Sequence, residues 1–161
     1  MFYRTTYVSP IGKIKLLADR TSLLFAYFEG QAYFEEKSAW FTSRLEENAV
    51  LKGAISWLDS YFKGHNPAMD DLNLSAQGTD FQTRVWKELL TIPYGETRTY
   101  GQLASLCDCP SAQAVGAAIG KNPLLIFVPC HRVLSSTRKL TGYSGGLEKK
   151  AWLLDHELER E

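Results

Sequence analysis

A cysteine, a histidine and an arginine stand in a row at Cys130, His131 and Arg132, after an apolar run that ends in Pro129. A basic neighbourhood lowers the pKa of a thiol, so this turn favours the nucleophilic thiolate. Adjacent side chains of an extended segment point apart, and the imidazole therefore reaches the sulfur only through a bend or a water molecule. Glu157 is a candidate to orient the imidazole, which completes a pattern of nucleophile, base and orienter. Most Cys-His neighbours in proteins are incidental, and spacing alone leaves that alternative open.

The remaining metal-ligating residue types are few and scattered. The chain has three cysteines, at Cys107, Cys109 and Cys130, and three histidines, at His65, His131 and His156. An odd number of cysteines cannot form a complete disulfide framework and fits a reducing compartment. One residue separates Cys107 from Cys109, whereas zinc ligands are usually separated by two to four. The sequence therefore predicts no metal site and no cofactor.

Composition and charge describe a globular chain. Its 161 residues are 45% hydrophobic, and 18 basic residues balance 18 acidic ones. Within residues 84–150, nine Lys and Arg face four Asp and Glu, which predicts a modest basic face or plain solvated surface. No apolar run approaches the roughly 20 residues that cross a bilayer, and the first residues lack a leader pattern. We expect a soluble, cytoplasmic monomer rather than a disordered or membrane-spanning protein.

The first half of the sequence predicts an α/β domain. Three runs of apolar and β-branched residues, at 2–8, 13–16 and 23–28, are separated by short turns, which predicts an antiparallel sheet. Residues 31–47 are typical of an exposed helix or loop. Apolar residues from Val50 to Phe62 recur at helical spacing, and Gly64 follows where a helix ends. We place the boundary of this domain at residues 1–76.

Residues 77–161 predict a mostly α-helical domain. Thr79 with Gln82, and Thr99 with Gln102, form two capping boxes that begin helices. Ser111 caps a further helix to about residue 120, after a tight turn. Two short helices joined by a tight turn indicate a helix-turn-helix.

The second helix of this pair has one side almost without bulk. Its small residues are Ala112, Ala114, Gly116, Ala117, Ala118 and Gly120. Close helix packing in a core explains them. Alternatively, they let the helix backbone approach a narrow DNA groove, held through phosphates and shape rather than base edges.

Several ordered motifs in residues 79–157 resemble the O6-alkylguanine-DNA alkyltransferases, also called methylated-DNA–protein-cysteine methyltransferases. The motifs are Tyr94-Gly95-Glu96, Tyr100-Gly101-Gln102-Leu103-Ala104, Ala114-Val115-Gly116, Asn122-Pro123, Val128-Pro129-Cys130-His131-Arg132-Val133, Thr141-Gly142-Tyr143-Ser144-Gly145-Gly146 and Trp152-Leu153-Leu154-Asp155-His156-Glu157. Residues 1–77 are similar only in the turn at Ser9-Pro10-Ile11-Gly12 and in the order of strands and helix.

The resemblance implies a DNA-repair mechanism. Members of the family bind duplex DNA through the minor groove, rotate an O6-alkylated guanine into a pocket and transfer the alkyl group irreversibly to a cysteine. It implies Cys130 as nucleophile, His131 as a water-mediated base and Glu157 as the group that polarises His131. Tyr100 would help to rotate the nucleotide and would donate a hydrogen bond to the leaving guanine.

The same resemblance implies the residues that hold the base and the DNA. The carbonyls of Cys130 and Val133 would accept from the guanine amine, the Ser144 amide would donate to O6, and Tyr143 would form a pocket wall. Asn122 would brace the active-site turn. Arg132 would contact a DNA phosphate or tie the loop to the core, and its position after a strand favours the second role. Ala112 and Gly116 belong to the groove-facing helix, where Gln113 stands in place of the arginine that the family commonly uses to fill the gap left by the base.

One other feature departs from the family, because residues 135–139 lack the usual glycine. The N-terminal zinc ligands that some members have find no counterpart here, which agrees with the small number of cysteines. The alternatives are a lesion-sensing alkyltransferase-like protein without transfer activity, a helix-turn-helix regulator, and a cysteine hydrolase. The presence of Cys130 and of residues 1–77 is unlike the lesion-sensing proteins, which usually lack both.

Overall fold

The computed structural model describes residues 1–137 and 139–158 of the chain. These residues form two units, residues 1–76 and residues 77–158, each with its own buried core. No helix in the described ranges is long and apolar enough to cross a membrane.

A three-stranded antiparallel meander forms the centre of the first unit. Its strands are β1 (Phe2–Ser9), β2 (Gly12–Ala18) and β3 (Leu23–Phe28), with β2 in the middle. Thr5 lies opposite Leu16, and Leu16 lies opposite Ala26. In the turn between β1 and β2, the Ser9 hydroxyl donates to the Gly12 carbonyl at 2.6 Å. The three predicted strands and their antiparallel order are confirmed.

A fourth strand corrects the prediction of a wholly antiparallel sheet. Strand β4 (Ser43–Leu45) pairs with β1 in parallel, at the edge of the sheet. Helix α1 (Ala32–Ala39) lies between β3 and β4, and it makes the connection long enough for a parallel crossover. Residues 31–47 therefore contain a helix and a strand. The strand has only three residues and no alternation of apolar and polar side chains, so its sequence carries no strand signal.

Helix α2 (Ala49–Phe62) packs on the sheet with the face that its periodicity predicts. Its buried residues are Leu51, Ala54, Leu58 and Tyr61. Asn48 caps the first turn by accepting from the Leu51 amide at 3.0 Å, and Gly64 ends the helix with a φ of +94°. Tyr7 of β1 donates a hydrogen bond to Asp59 of this helix at 2.7 Å.

Helices dominate the second unit. They are α3 (Asp80–Leu89), α4 (Tyr100–Leu106), α5 (Ala112–Gly120) and α6 (Leu147–Leu158), with a 3-10 turn at Cys130–Arg132. Both predicted capping boxes are present, and the Ser111 hydroxyl accepts from the Ala114 amide at 3.0 Å. Two-residue strands β5 (Arg98–Thr99) and β6 (Val133–Leu134) pair in parallel. The predicted helix-turn-helix, α4 followed by α5, is confirmed.

A buried tryptophan anchors the second helix of this motif. Trp86 of α3 donates its indole N–H to the Ala118 carbonyl of α5 at 2.9 Å. Gly78 lies against the same indole ring, because a Cβ atom placed at Gly78 would stand 2.5 Å from a Trp86 ring carbon. The position of α5 therefore depends on a glycine that precedes α3.

We predict that Gly78→Ala destabilises the second unit by about 1–3 kcal/mol, because the indole must move to admit the methyl group. Gly101→Ala is the matched control, since its Cβ atom would have only one neighbour within 4 Å, at 3.9 Å. Urea unfolding followed by tryptophan fluorescence compares the two variants. Equal unfolding midpoints for both would contradict the role of Gly78.

Candidate active site

The segment that carries the cysteine is a buried, internally braced loop. Residues 122–133 are all buried. The Asn122 side chain donates to the Val128 carbonyl and accepts from the Leu124 amide, each at 3.0 Å. Ile126 has a φ of +74°, a conformation that β-branched residues rarely adopt and that costs about 1–3 kcal/mol. Packing and the Asn122 bonds hold this strained loop in one conformation.

Cys130 lies inside this loop with 3% of its surface exposed. Burial raises the pKa of its thiol to about 11, although the Asn122 side chain and the Lys150 charge both act to lower it. At neutral pH the thiol is therefore protonated. The expected thiolate is not the resting form, because the loss of hydration outweighs the Lys150 charge that favours it.

Three side chains beside the cysteine form one buried network. His131 Nε2 lies 2.6 Å from Glu157 Oε2. Arg132 binds both oxygens of the same carboxylate, with Nε donating to Oε1 at 2.8 Å and Nη2 donating to Oε2 at 3.1 Å. The Gly95 amide donates to Oε1 at 3.0 Å, and Arg132 Nη1 donates to the Ile92 carbonyl at 2.6 Å. Four donors thus converge on a carboxylate that is 1% exposed.

The network also shows what Arg132 binds. Its guanidinium donates to Glu157 and to the Ile92 carbonyl inside the unit. These contacts contradict the alternative in which Arg132 contacts a DNA phosphate. They agree with the favoured alternative, in which the arginine ties the loop to the core.

The charges of the network follow from burial and pairing. Burial lowers the pKa of His131 below its ordinary value and outweighs the opposing effect of Glu157, so the ring is neutral at pH 7. Burial alone would raise the pKa of Glu157, but hydrogen bonds and charge from His131 and Arg132 hold it well below its usual range. A neutral ring that donates Nε2–H to a carboxylate keeps a lone pair on Nδ1. That nitrogen can accept a proton.

Lys150 is part of the site, although the sequence analysis did not single it out. Its ammonium donates to the carbonyls of Thr141 at 2.6 Å and Gly142 at 2.9 Å, and burial lowers its pKa to about 8. It shares the buried face of α6 with Leu153 and Glu157. The sequence signal for Lys150 is its spacing from Leu153 and Glu157, which places a lysine on the face of the helix that is expected to be buried.

Tyr100 joins α4 and α5 to the loop at residues 141–146. Its hydroxyl donates to the Thr141 carbonyl at 3.1 Å, the same carbonyl that Lys150 holds. A Cβ atom at Gly116 would stand 3.8 Å from the Tyr100 ring, so this small residue of α5 has an aromatic neighbour. The loop itself needs Gly142, whose φ is +55°, and it closes in a turn where the Gly146 amide donates to the Tyr143 carbonyl at 2.9 Å.

The other predicted residues lie at different depths. Val133 is buried and pairs with Arg98 through β5 and β6, whereas Ser144 is exposed in the 143–146 turn. On α5, Ala112, Gln113 and Ala117 are exposed, and Val115, Ala118 and Ile119 are buried. Both interpretations of the small residues therefore apply. Ala118 packs inside the unit, whereas Ala112 and Ala117 lie on the side that faces outward.

The other thiols lie in the turn between α4 and α5. Cys107 is buried and Cys109 is half-buried, and both are free thiols. Within residues 1–137 and 139–158, no three His, Cys, Asp or Glu side chains come together as metal ligands.

We predict that Glu157→Gln lowers the free energy of unfolding at pH 7 by about 3–5 kcal/mol, because it leaves the Arg132 charge buried without its partner. The folded-state pKa of Glu157 is depressed, so its stabilisation is complete above the unfolded value of about 4.3 and is lost as pH falls below it. The gap between wild type and variant should therefore narrow in acid.

Asp155→Asn is the control for this experiment, since Asp155 is an exposed carboxylate on the same helix. Its effect should stay within about 0.5 kcal/mol. Denaturant unfolding at a series of pH values measures both variants. A gap for Glu157→Gln that does not change with pH would show that the network carries no charge.

Known proteins share both units of this chain. The family profile described as "6-O-methylguanine DNA methyltransferase, DNA binding domain" matches residues 80–159, and the one described as "6-O-methylguanine DNA methyltransferase, ribonuclease-like domain" matches residues 2–76. The methylated-DNA–protein-cysteine methyltransferase of Mycobacterium tuberculosis is 43% identical over 161 residues, which cover 99% of this chain and 94% of that protein. Its namesake from Methanosarcina acetivorans is 41% identical over 157 residues, covering 96% of this chain and 97% of that one.

Solved structures agree with these matches. The crystal structure of Mycobacterium tuberculosis O6-methylguanine methyltransferase has a TM-score of 0.88 and 43% identity, covering 100% of this chain and 95% of that one. A crystal structure of Mycobacterium tuberculosis OGT in complex with DNA has a TM-score of 0.87 and 42% identity, with 98% and 94% covered. With both of its units matched, this chain belongs to the O6-methylguanine DNA methyltransferase family.

Proposed function

We propose that this protein repairs DNA by direct reversal, moving an alkyl group, typically methyl, from O6 of guanine in duplex DNA to Cys130 Sγ. The observation that carries the proposal is a buried thiol followed directly by a neutral histidine, whose other nitrogen is fixed by a buried carboxylate. Family membership supports the reaction class. Each molecule acts once, because the thioether product has no route back to a free thiol.

The transfer is a displacement at saturated carbon. The bond between Sγ and the methyl carbon forms while the bond between that carbon and O6 breaks, and the electron pair of the broken bond goes to the guanine. The thiol proton passes to His131 Nδ1, directly or through one water molecule. The charge that develops on the guanine is stabilised by a hydrogen bond from a donor in the pocket, for which we propose the Tyr100 hydroxyl. The guanine then takes up a proton from solvent and His131 releases one, so the protons balance.

The direction of each pKa shift suits these roles of base and hydrogen-bond donor. A thiol with a pKa of about 11 needs a base at neutral pH, and a neutral imidazole is available to act as one. The imidazolium that forms is stabilised by the adjacent Glu157 carboxylate, 2.6 Å from Nε2. Burial keeps the pKa of Tyr100 above its ordinary value, so its hydroxyl remains a donor.

Lys150 makes the proposed role of Tyr100 less costly. To donate to guanine, the Tyr100 hydroxyl must leave the Thr141 carbonyl that it now contacts at 3.1 Å. The Lys150 ammonium stays 2.6 Å from the same carbonyl, so this acceptor keeps a charged donor when the tyrosine leaves. Its charge also acts on Cys130 in the direction that favours the thiolate.

We propose that the guanine lies against Tyr143 and is held by backbone groups of Cys130, Val133 and Ser144. Asn122, which bonds Val128 and Leu124, keeps the Cys130 turn in place. DNA binds along the exposed side of α5, with Ala112 and Gly116 allowing close approach and Gln113 entering the space that the base leaves. Residues 77–161 form the DNA-binding and alkyl-acceptor domain, residues 1–76 form the α/β domain, and the protein works in the cytoplasm with its thiols reduced.

A lesion-sensing protein or a regulator without transfer activity is the alternative function. Neither needs a nucleophile, a base and a buried orienting carboxylate in one network. The presence of all three favours transfer.

We predict that incubation with a duplex containing O6-methylguanine adds one methyl group, and only one, to the peptide that carries Cys130. Intact-mass and peptide mass spectrometry measure this gain. Cys130→Ser should accept no methyl group and should still bind the duplex, because an alcohol is a far weaker nucleophile at neutral pH. Cys107→Ser and Cys109→Ser are matched controls that should react as wild type does. Transfer by Cys130→Ser would refute the choice of nucleophile.

We also predict that Gln113→Ala slows transfer from duplex DNA by about two- to tenfold, because a side chain that fills the vacated space offsets part of the cost of extruding the base. Gln113→Arg should match or exceed the wild-type rate, since guanidinium adds a charge that is attracted to the groove. Single-turnover rates with duplex measure the effect. Free O6-methylguanine needs no extrusion and should react alike with all three proteins. Equal duplex rates for wild type and Gln113→Ala would exclude Gln113 from this role.

A further inference from the structure

A cavity of about 390 Å³ lies on the sheet of the first unit, on the face opposite helix α2. Arg4 of β1 lies opposite Leu17 of β2. Lys15, earlier on β2, lies opposite Tyr27 of β3. Residues that are opposite each other, or two apart on one strand, share a face, so these four side chains form the floor of the cavity. Its volume is sufficient for a small organic molecule.

The walls of the cavity come from α1 and from the segment that leads into β4. Helix α1 covers only part of the sheet face, where Phe34 belongs to the same apolar cluster as Leu17. Beside that contact, Glu35 of α1 lines one side of the cavity and Phe41 lines another. An apolar lining with a few fixed polar groups is the usual composition of a ligand site.

The charged side chains that line the cavity leave one positive charge. They are Arg4, Lys15 and Glu35. Lys15 Nζ lies 3.0 Å from Glu35 Oε1, so these two charges offset each other. Arg4 has no carboxylate partner in the part of the chain that the structure describes, and its Nη1 donates instead to the carbonyl of Ser43 and, at 3.1 Å, to the hydroxyl of Ser43. The cavity therefore favours a ligand with one negative charge.

Arg4 leaves open the side of its guanidinium that recognises a carboxylate. Ser43 accepts from Nη1, whereas Nε and Nη2 donate to no other described residue. These two nitrogens form the planar fork that binds both oxygens of a carboxylate. Arg132 uses the same fork on Glu157 in the second unit. Because Ser43 already orients the Arg4 side chain, a ligand would need to order it only a little further.

We propose that this cavity binds a small monocarboxylate with an apolar body. The carboxylate accepts from Nε and Nη2 of Arg4, and the apolar body lies against Leu17 and Phe41. The Lys15 ammonium has N–H donors besides the one that Glu35 accepts, and it supplies a second cation on the same face. The inference goes beyond the proposed function and does not depend on it, since every lining residue belongs to the first unit.

Biphenyl-4-carboxylate is the probe for this site. Biphenyl-4-carboxamide lacks its charge, and acetate lacks its apolar body. Backbone amide NMR shifts of the full-length protein measure the Kd and locate the site. We expect a Kd of about 0.1–1 mM for the carboxylate, as for a ligand of its size, and binding at least about tenfold weaker for the amide and for acetate. The largest shifts should fall in residues 4–6, 15–17 and 38–43. Equal binding of carboxylate and amide, or saturable shifts confined to other residues, would overturn the proposal.

Variants of Arg4 separate its fork from its charge. Arg4→Gln removes both and should raise the Kd of the carboxylate about tenfold, whereas Arg4→Lys keeps the charge and should raise it about threefold. Arg44→Gln is the matched control, because Arg44 is exposed and lies opposite Tyr3, on the other face of the sheet from Ser43. It loses the same charge and should bind as wild type does. An unchanged Kd in Arg4→Gln would refute the site.

Glu35→Gln gives a test that a folding defect cannot imitate, because tighter binding is expected. Loss of this carboxylate increases the positive charge of the lining, so the Kd of biphenyl-4-carboxylate should fall about threefold while that of the amide stays the same. Glu36→Gln, at an exposed neighbour outside the cavity lining, is its control and should leave both values unchanged. Weaker binding of the carboxylate to Glu35→Gln would contradict its placement beside Arg4 and Lys15.

Discussion

The carboxylate of Glu157 is the group on which the second unit depends. It is buried, charged and surrounded by donors from three residues in two segments: the Gly95 amide, and the His131 ring and Arg132 guanidinium of the 3-10 turn. A buried charge is tolerable only when its oxygens are fully hydrogen-bonded, and here each oxygen has two donors. The same bonds draw the end of α6, the 3-10 turn and the start of the segment before β5 together. In the proposed function the same carboxylate also stabilises protonated His131, so a substitution that removes it would disturb both the packing and the proton transfer.

Burial has opposite effects on the two reacting partners, and this difference makes their pairing effective. It raises the pKa of the Cys130 thiol and lowers the pKa of His131, so both groups are neutral in the resting protein. A neutral pair costs little to keep in an apolar interior, whereas a thiolate and an imidazolium would each be penalised. In the proposed transfer, charge appears only when a proton moves, and Glu157 and Lys150 would then stabilise it. Under that proposal the site holds no reactive thiolate between encounters with DNA.

Local signals in the sequence predicted local structure well. The capping boxes at Thr79 and Thr99 and the end of α2 at Gly64 depend on residues within one turn of a helix, so the sequence contains all that is needed. Motif resemblance brought Cys130, His131 and Glu157 together as candidates. Strand β4 and the high pKa of Cys130 were not predicted, because pairing partners and burial come from distant parts of the chain. Lys150 was missed because a lysine on a helix is usually solvated, although its spacing from Leu153 and Glu157 places it on the buried face.

The left-handed conformation of Ile126 limits how this loop can be improved. Glycine at this position would relieve a strain of about 1–3 kcal/mol and would forfeit about 0.5–1 kcal/mol through its greater freedom in the unfolded chain. That gain is offset by the loss of the buried isoleucine side chain, which costs about 2–5 kcal/mol even for the smaller change to alanine, so the exchange would destabilise the protein. Glycine would also open conformations that isoleucine forbids. The side chain that makes this backbone conformation costly is therefore the same one that, through its packing, keeps the loop in a single conformation.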